Sequence, residues 1–183
     1  MTLPPLGLES GTVRVVAYDA RWPSLFAEEA ARLVRALAPL PIRLEHTGST
    51  AVQGLAAKPV LDILGGYPEG AELAAYVDAL TRAGYVHRGE QGIPGREFFR
   101  RGTPRAYHLH LVSVGSAFWR EHLAFRDWLR THDEARDEYA RLKQALAARF
   151  PRDREAYIEG KGPFVREVLR EALHPEARRR ELS

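Results

Sequence analysis

From Pro23 to Ala38 the apolar positions Phe26, Ala30, Leu33 and Leu37 recur at i, i+4, i+7 and i+11. That stripe predicts a helix, with Pro23 in its first turn and Pro39 and Pro41 beyond its end. A second helix is predicted over Glu69 to Ala83, with Leu73, Val77 and Leu80 on one face and Gly84 closing it. Between them, Ile42 to Glu45 reads as a short strand and Thr50 to Leu55 as a short helix. The apolar run Pro59 to Leu64 reads as a buried strand closed by Gly65-Gly66. Tyr85 to His87, Arg96 to Arg100 and Tyr107 to Val114 read as three further strands, with a Gly- and Pro-rich loop over Gly89 to Gly95.

From Ser116 the period lengthens again, and three helices are predicted: Ser116 to Thr131, Asp133 to Phe150 and Asp153 to His174. Pro163, flanked by Gly160 and Gly162, is expected to break or kink the last. Val13 to Val16 reads as a strand or extended arm ending at Tyr18-Asp19. No repeat or linker divides the chain. The expected architecture is one α+β domain over residues 1–183: a mixed β-sheet covered by helices, with a C-terminal helical layer.

Composition narrows the chemistry. The 183 residues contain no cysteine, which removes disulfides, thiolate metal sites and cysteine nucleophiles. Residues Met1 to Ser10 lack the basic start of a signal peptide, and no stretch reaches the ~18 unbroken apolar residues of a membrane helix, so a cytoplasmic protein is expected. Lys+Arg 27 against Asp+Glu 24 leaves a charge of +3. Nearly all the basic residues are arginine, Lys58, Lys143 and Lys161 being the exceptions. Acidic residues interrupt the basic runs except at Arg178-Arg179-Arg180, which reads as a solvated tail, and no aromatic–basic stripe accompanies the charge. Nucleic acid is therefore not an expected partner.

Three features carry candidate chemistry. Gly48-Ser49-Thr50 lies between a strand and a helix, where a glycine admits close backbone approach and the hydroxyls face an anion; the alternative is a simple helix cap. It is not a P-loop, because Leu55 rather than lysine follows Gly54. Asp62 interrupts Val60-Leu61-Ile63-Leu64, a costly position unless the carboxylate binds a metal or pairs with Lys58 or an arginine. His108 and His110 flank Leu109 on a strand and so share one face, where they would bind a metal, relay a proton or contact phosphate. Arg126 reads as half of a helical salt bridge; Arg96 and Glu97 are placed at the rim of the same cleft.

The run Glu45-His46-Thr47-Gly48-Ser49-Thr50-Ala51-Val52-Gln53-Gly54-Leu55-Ala56-Ala57-Lys58-Pro59-Val60-Leu61-Asp62-Ile63 closely resembles the signature of the GrpB family (glutamate-rich protein B), with Gln53 where proline is common. The likeness continues through Tyr18-Asp19 and Trp22, Tyr107 to Val112, Phe125 to Arg130, Tyr139, Lys143, Tyr157, Lys161 and Phe164. The resemblance implies a nucleotidyltransferase-like fold in which Gly-Ser opens a helix and a downstream strand carries metal-binding acids. It also implies a link to coenzyme A metabolism, since relatives occur fused to dephospho-coenzyme A kinase. Active members of that fold place a second acid two residues after the first, where this chain has Leu64. Glu45, Glu97, His108 or His110 would then have to complete the site.

The expected function is that of a metal-dependent nucleotidyltransferase-like protein binding a nucleotide or other phosphorylated small molecule. Asp62 and His110 would be catalytic, and Asp62, His108 and His110 would hold a divalent ion (Mg or Mn, with Zn suited to the histidines). Gly48, Ser49, Thr50, Lys58 and Lys161 would bind the substrate's phosphates. The alternative is a catalytically degenerate module that recognises a nucleotide, a coenzyme or a protein partner. A zinc hydrolase built on His108 and His110 ranks last.

Overall fold

The computed structural model describes residues 5–174; the Arg178-Arg179-Arg180 triplet lies outside them. The elements run α1 (Trp22–Leu37), β1 (Arg43–Thr47), a single 3-10 turn (Ser49–Ala51), β2 (Leu61–Tyr67), α2 (Leu73–Arg82), β3 (Val86–His87), β4 (Glu97–Arg101), β5 (Tyr107–Ser113), α3 (Ala117–Thr131), α4 (Asp133–Arg149) and α5 (Arg154–Leu173). The strands form one sheet in the order β1-β2-β5-β4-β3, parallel only between β2 and β5. This is the expected mixed sheet covered by helices.

Strand alternation sorts the side chains onto two faces. Ile63, Phe99, Leu109 and Leu111 point to one side, where they pack with Leu33 and Leu37 of α1 and Tyr76 and Leu80 of α2. Asp62, Leu64, Phe98, His108, His110 and Val112 are on the other side. There Leu64 and Val112 pack under Trp119 of α3. Farther from the sheet, α3, α4 and α5 share a second cluster: Leu129, Tyr139, Phe164 and Val165, with Val52 and Leu55 from the segment after β1. The chain between β1 and β2 is therefore held between the sheet and the helical layer.

Packing overrides several local signals. Gly65-Gly66 does not close β2, which pairs with β5 from Leu61 to Tyr67. A Cβ on Gly66 would fall 2.6 Å from the Trp119 ring, so the glycine lets that indole reach the sheet. Pro163 does not break α5, which is continuous across it. An interior proline costs about 3 kcal/mol, and Tyr157 and Val168, buried on either side of it, offset that cost. Gly160 serves contact rather than breakage: a Cβ there would meet Leu146 of α4 at 2.5 Å. The helix expected over Thr50 to Leu55 shrinks to the one 3-10 turn, and α2 begins at Leu73 rather than Glu69. Val13 to Val16 forms no strand; only Val16 bridges, to Ala57.

Candidate functional site

The parallel register of β2 and β5 sets Asp62 beside His108 and Leu64 beside His110. Asp62 Oδ1 lies 3.0 Å from His108 Nδ1 and 3.7 Å from His110 Nε2. Burial alone would raise the Asp62 pKa, but the two facing imidazoles outweigh it and hold the carboxyl well below its usual range. Burial also lowers the pKa of His108, against the pull of Asp62. A carboxylate only accepts hydrogen bonds, so a neutral His108 carries its proton on Nδ1. Nε2 of His108 and Nδ1 of His110 are then left buried without partners among the described residues. Phe98 packs on both rings, at centroid distances of 5.2 and 5.1 Å.

Gly48 makes the turn that faces Asp62. Its φ of 69° and ψ of −172° lie in a region open almost only to glycine, and a Cβ would fall 2.5 Å from Asp62 Oδ2. Ser49 starts the 3-10 turn. Thr50 is buried, and its hydroxyl is 3.0 Å from His46 Nε2, so it is committed to the scaffold rather than presented to a ligand. With one 3-10 turn in place of a helix, no helix dipole is aimed at this position.

These residues line a cavity of about 620 Å³ between the sheet and α3–α5. It brings together Gly48, Ser49, Thr50, Lys58, Asp62, His108, His110 and Lys161, all singled out above for phosphate, metal or catalytic roles. It also takes in Arg96, His122, Lys143 and Arg154. All three lysines of this arginine-dominated chain thus meet at one place.

The Lys58 and Lys161 ammoniums lie 5.1 and 4.8 Å from the Tyr157 ring. Burial, then repulsion from Lys161, pushes Lys58 down to about 8. Burial also lowers Lys161, with Asp62 opposing. Lys143 is 2% exposed, donates to the Ala56 carbonyl at 2.5 Å, and is pushed down to about 6 by burial and then by Lys161 and Lys58. Sequence reasoning did not place Lys143 or His122 here. For Lys143 the available signal was its rarity as a lysine. His122 sits on α3 one turn after Phe118, whose ring stacks on it at 3.8 Å, and burial pushes it down to about 4.

Other expected members fall elsewhere. Glu45 binds Arg126 at 2.9 Å, and Glu97 points to the opposite face from Phe98 and contacts His87 at 2.5 Å. Neither completes the site. Arg126 is more than a surface pair: buried, it also donates to the His46 carbonyl at 3.0 Å and ties α3 to β1.

As placed, the Asp62 cluster does not fit a cation. Among the described residues no group of three or more His, Asp or Glu side chains is arranged to hold a metal ion. The His108 nitrogen that faces Asp62 bears the hydrogen-bonding proton and has no lone pair to offer there.

The sequence profile of the GrpB protein family matches residues 12–171. A UPF0157 protein of Pseudomonas aeruginosa is 42% identical over 166 residues, covering 88% of this chain and 68% of its own. A dephospho-CoA kinase of Mycolicibacterium paratuberculosis is 30% identical over 186 residues, covering 87% of this chain. The chain spans 46% of that kinase and 45% of UPF0157 protein YqkA of Bacillus subtilis. The crystal structure of GrpB from Enterococcus faecalis superposes with a TM-score of 0.81 at 33% identity, over 89% of this chain and 99% of that one. The Cid1 poly(U) polymerase superposes with a TM-score of 0.52 at 12% identity, over 74% of this chain and 45% of that one, a likeness of fold alone. Among the described residues no helix is long and apolar enough to cross a membrane.

Proposed function

The chain belongs to the GrpB protein family, and we propose that it binds a nucleotide or similarly phosphorylated small molecule in the cavity between the sheet and α3–α5. One observation carries this reading. Lys58 and Lys161 share the Tyr157 ring, and among the described residues neither has a hydrogen-bond or ion-pair partner. Clustered ammoniums that repel one another in a half-buried site gain most from an anion placed between them. In this reading Lys58, Lys161 and Arg154 hold the phosphates, Ser49 adds a hydroxyl, and the apolar part lies against Ile93, Phe98, Phe125 and Leu169. Recognition without chemistry is the form best supported: two residues beyond Asp62 on the same face stands Leu64, fully buried, so the site lacks a second strand acid. The dephospho-CoA kinase relatives make a coenzyme a ligand worth testing, and with it a place in coenzyme A metabolism.

A second reading is divalent-metal-dependent nucleotidyl transfer, with Asp62 and His110 acting at the reacting phosphate. It is favoured by the close seating of Gly48-Ser49 on Asp62. For Asp62, His108 and His110 to hold Mg, Mn or Zn, the hydrogen bond between His108 and Asp62 would have to open. Calorimetric titration of the four nucleoside triphosphates and coenzyme A, in chelator and with each metal, separates the two. Binding in chelator that falls at least about tenfold in Lys58→Met supports the first reading. Binding only with metal supports the second. No binding under any condition overturns both.

A further inference from the structure

A second recess, of about 350 Å³, opens on the same face of the sheet at its β3–β4 edge, and no residue of α3–α5 lines it. Arg88, Arg100 and Arg105 line it, together with Arg101, which is ion-paired to Glu29. Pleating explains the concentration. Arg100 pairs with His108 in register, and Val86 pairs with Arg100, so Arg100 and, two residues past Val86, Arg88 face the same side as Asp62. Glu97 is kept from Arg100 at the same time, because Glu97 and Arg101 face the α1–α2 side, where Arg101 binds Glu29.

Several arginines of this chain are neutralised by ion pairs, and Arg88, Arg100 and Arg105 are among those that are not. Arg21, Arg32, Arg43, Arg101, Arg126, Arg130 and Arg136 all pair with carboxylates. Arg88, Arg100 and Arg105 pair with none among the described residues, and Glu9, exposed at the rim, bonds to none of them. Arg105 is 8% exposed, and its Nε is sealed from water without an acceptor. Arg100 Nε is sealed in the same way, and its guanidinium rests over Phe98. A guanidinium is always charged and offers five donors, so burying one without an acceptor is costly unless an anion arrives. Arg105 and Arg154 both act electrostatically on Lys58 in the main cavity, and both repel Arg100, so the cations of the two sites lie within electrostatic reach of one another, with the Asp62 carboxylate acting on both Lys58 and Arg105.

We propose that this recess is a second anion site, and that the ligand of the main cavity carries a second phosphate-type group which the arginines of the recess bind. Arg100 stands two strands from Asp62 in the same register row, which places the sites roughly 10 Å apart at the usual strand spacing. No aromatic side chain lines the recess, so it takes the anionic end of a small molecule rather than a stacked base of a nucleic acid strand. The inference rests on the cavity reading above.

Calorimetry with an alkane bisphosphate and the alkyl monophosphate of equal chain length tests it on the full chain. The wild type is expected to bind the bisphosphate at least about tenfold more tightly, one strong charge-assisted contact being worth that much. Joint Arg88→Gln and Arg100→Gln substitution, at an exposed and a half-buried position, should erase that advantage while leaving monophosphate affinity unchanged. Lys58→Met should weaken both ligands. Equal wild-type affinity for the two, an advantage that survives the arginine changes, or an equal loss for both ligands overturns the second site. Binding of neither ligand overturns the cavity reading itself.

Discussion

Lys143 offers the sharpest thermodynamic test of how this cavity is built. Its ammonium is buried at 2% exposure and pushed down to about 6 from an ordinary 10.5, by burial first and then by Lys161 and Lys58. At about 1.4 kcal/mol per pH unit, holding the amine neutral at pH 7 costs up to about 5 kcal/mol relative to the unfolded chain. Lys143→Met keeps the volume and removes that cost. It also removes the hydrogen bond to the Ala56 carbonyl and leaves that oxygen unpaired, a loss of about 1–3 kcal/mol. The variant is therefore expected to be more stable than wild type by about 2 kcal/mol or more at pH 7. The sign follows from linkage. Between about 6 and 10.5 the unfolded chain binds the lysine proton and the folded chain does not, so wild-type stability rises with pH across that window. The advantage of the variant should shrink on the same slope and reverse by about pH 10. Urea unfolding of both proteins from pH 6 to 10 measures it. A variant less stable at pH 7, or a difference that does not move with pH, refutes the reasoning.

Asp62→Asn removes the charge that the two imidazoles face, and is expected to cost about 2 kcal/mol by urea unfolding at pH 7. Because the folded Asp62 pKa lies below its unfolded value, that contribution is present above about pH 4 and fades as pH falls further. Gly48→Ala forces a Cβ into a nearly glycine-only conformation and against Asp62 Oδ2; a loss of about 3 kcal/mol in stability, with weakened triphosphate binding, is expected in parallel melts and titrations. Arg126→Met leaves Glu45 to Arg43 alone and strands the His46 carbonyl, and should cost about 1–3 kcal/mol, while the folded variant keeps wild-type ligand affinity in calorimetry.

The order of helices and strands was legible because α1 and α2 each carry their own apolar stripe, and the shared face of His108 and His110 followed from strand alternation alone. Their meeting with Asp62 depends on the parallel pairing of β2 with β5, which no local pattern encodes. Gly65-Gly66 and Pro163 were read as breakers because that is their local effect. Contacts distant in sequence, Trp119 on Gly66 and Leu146 of α4 on Gly160, decide otherwise. The arginine recess was hidden most thoroughly. Along the chain Glu90 and Glu97 lie among Arg88, Arg96 and Arg100, and the run looks neutral. In the sheet, Glu97 goes to one face and Arg88 and Arg100 to the other. Lys143 was visible only as a rare residue type until α4 carried it beneath the cavity.

The central claim, that this cavity takes phosphate through its lysines, is tested most directly by counting the protons taken up on binding. Calorimetry of a nucleoside triphosphate in chelator at pH 8, in buffers of different ionisation heat, measures that count with the phosphates already ionised. Lys58, at about 8, and Lys143, at about 6, are partly or wholly neutral there, and a bound anion draws protons onto them. The expected result is a net uptake that falls in Lys58→Met and in Lys143→Met. Binding without proton uptake, or with an uptake unchanged in both variants, would contradict the claim.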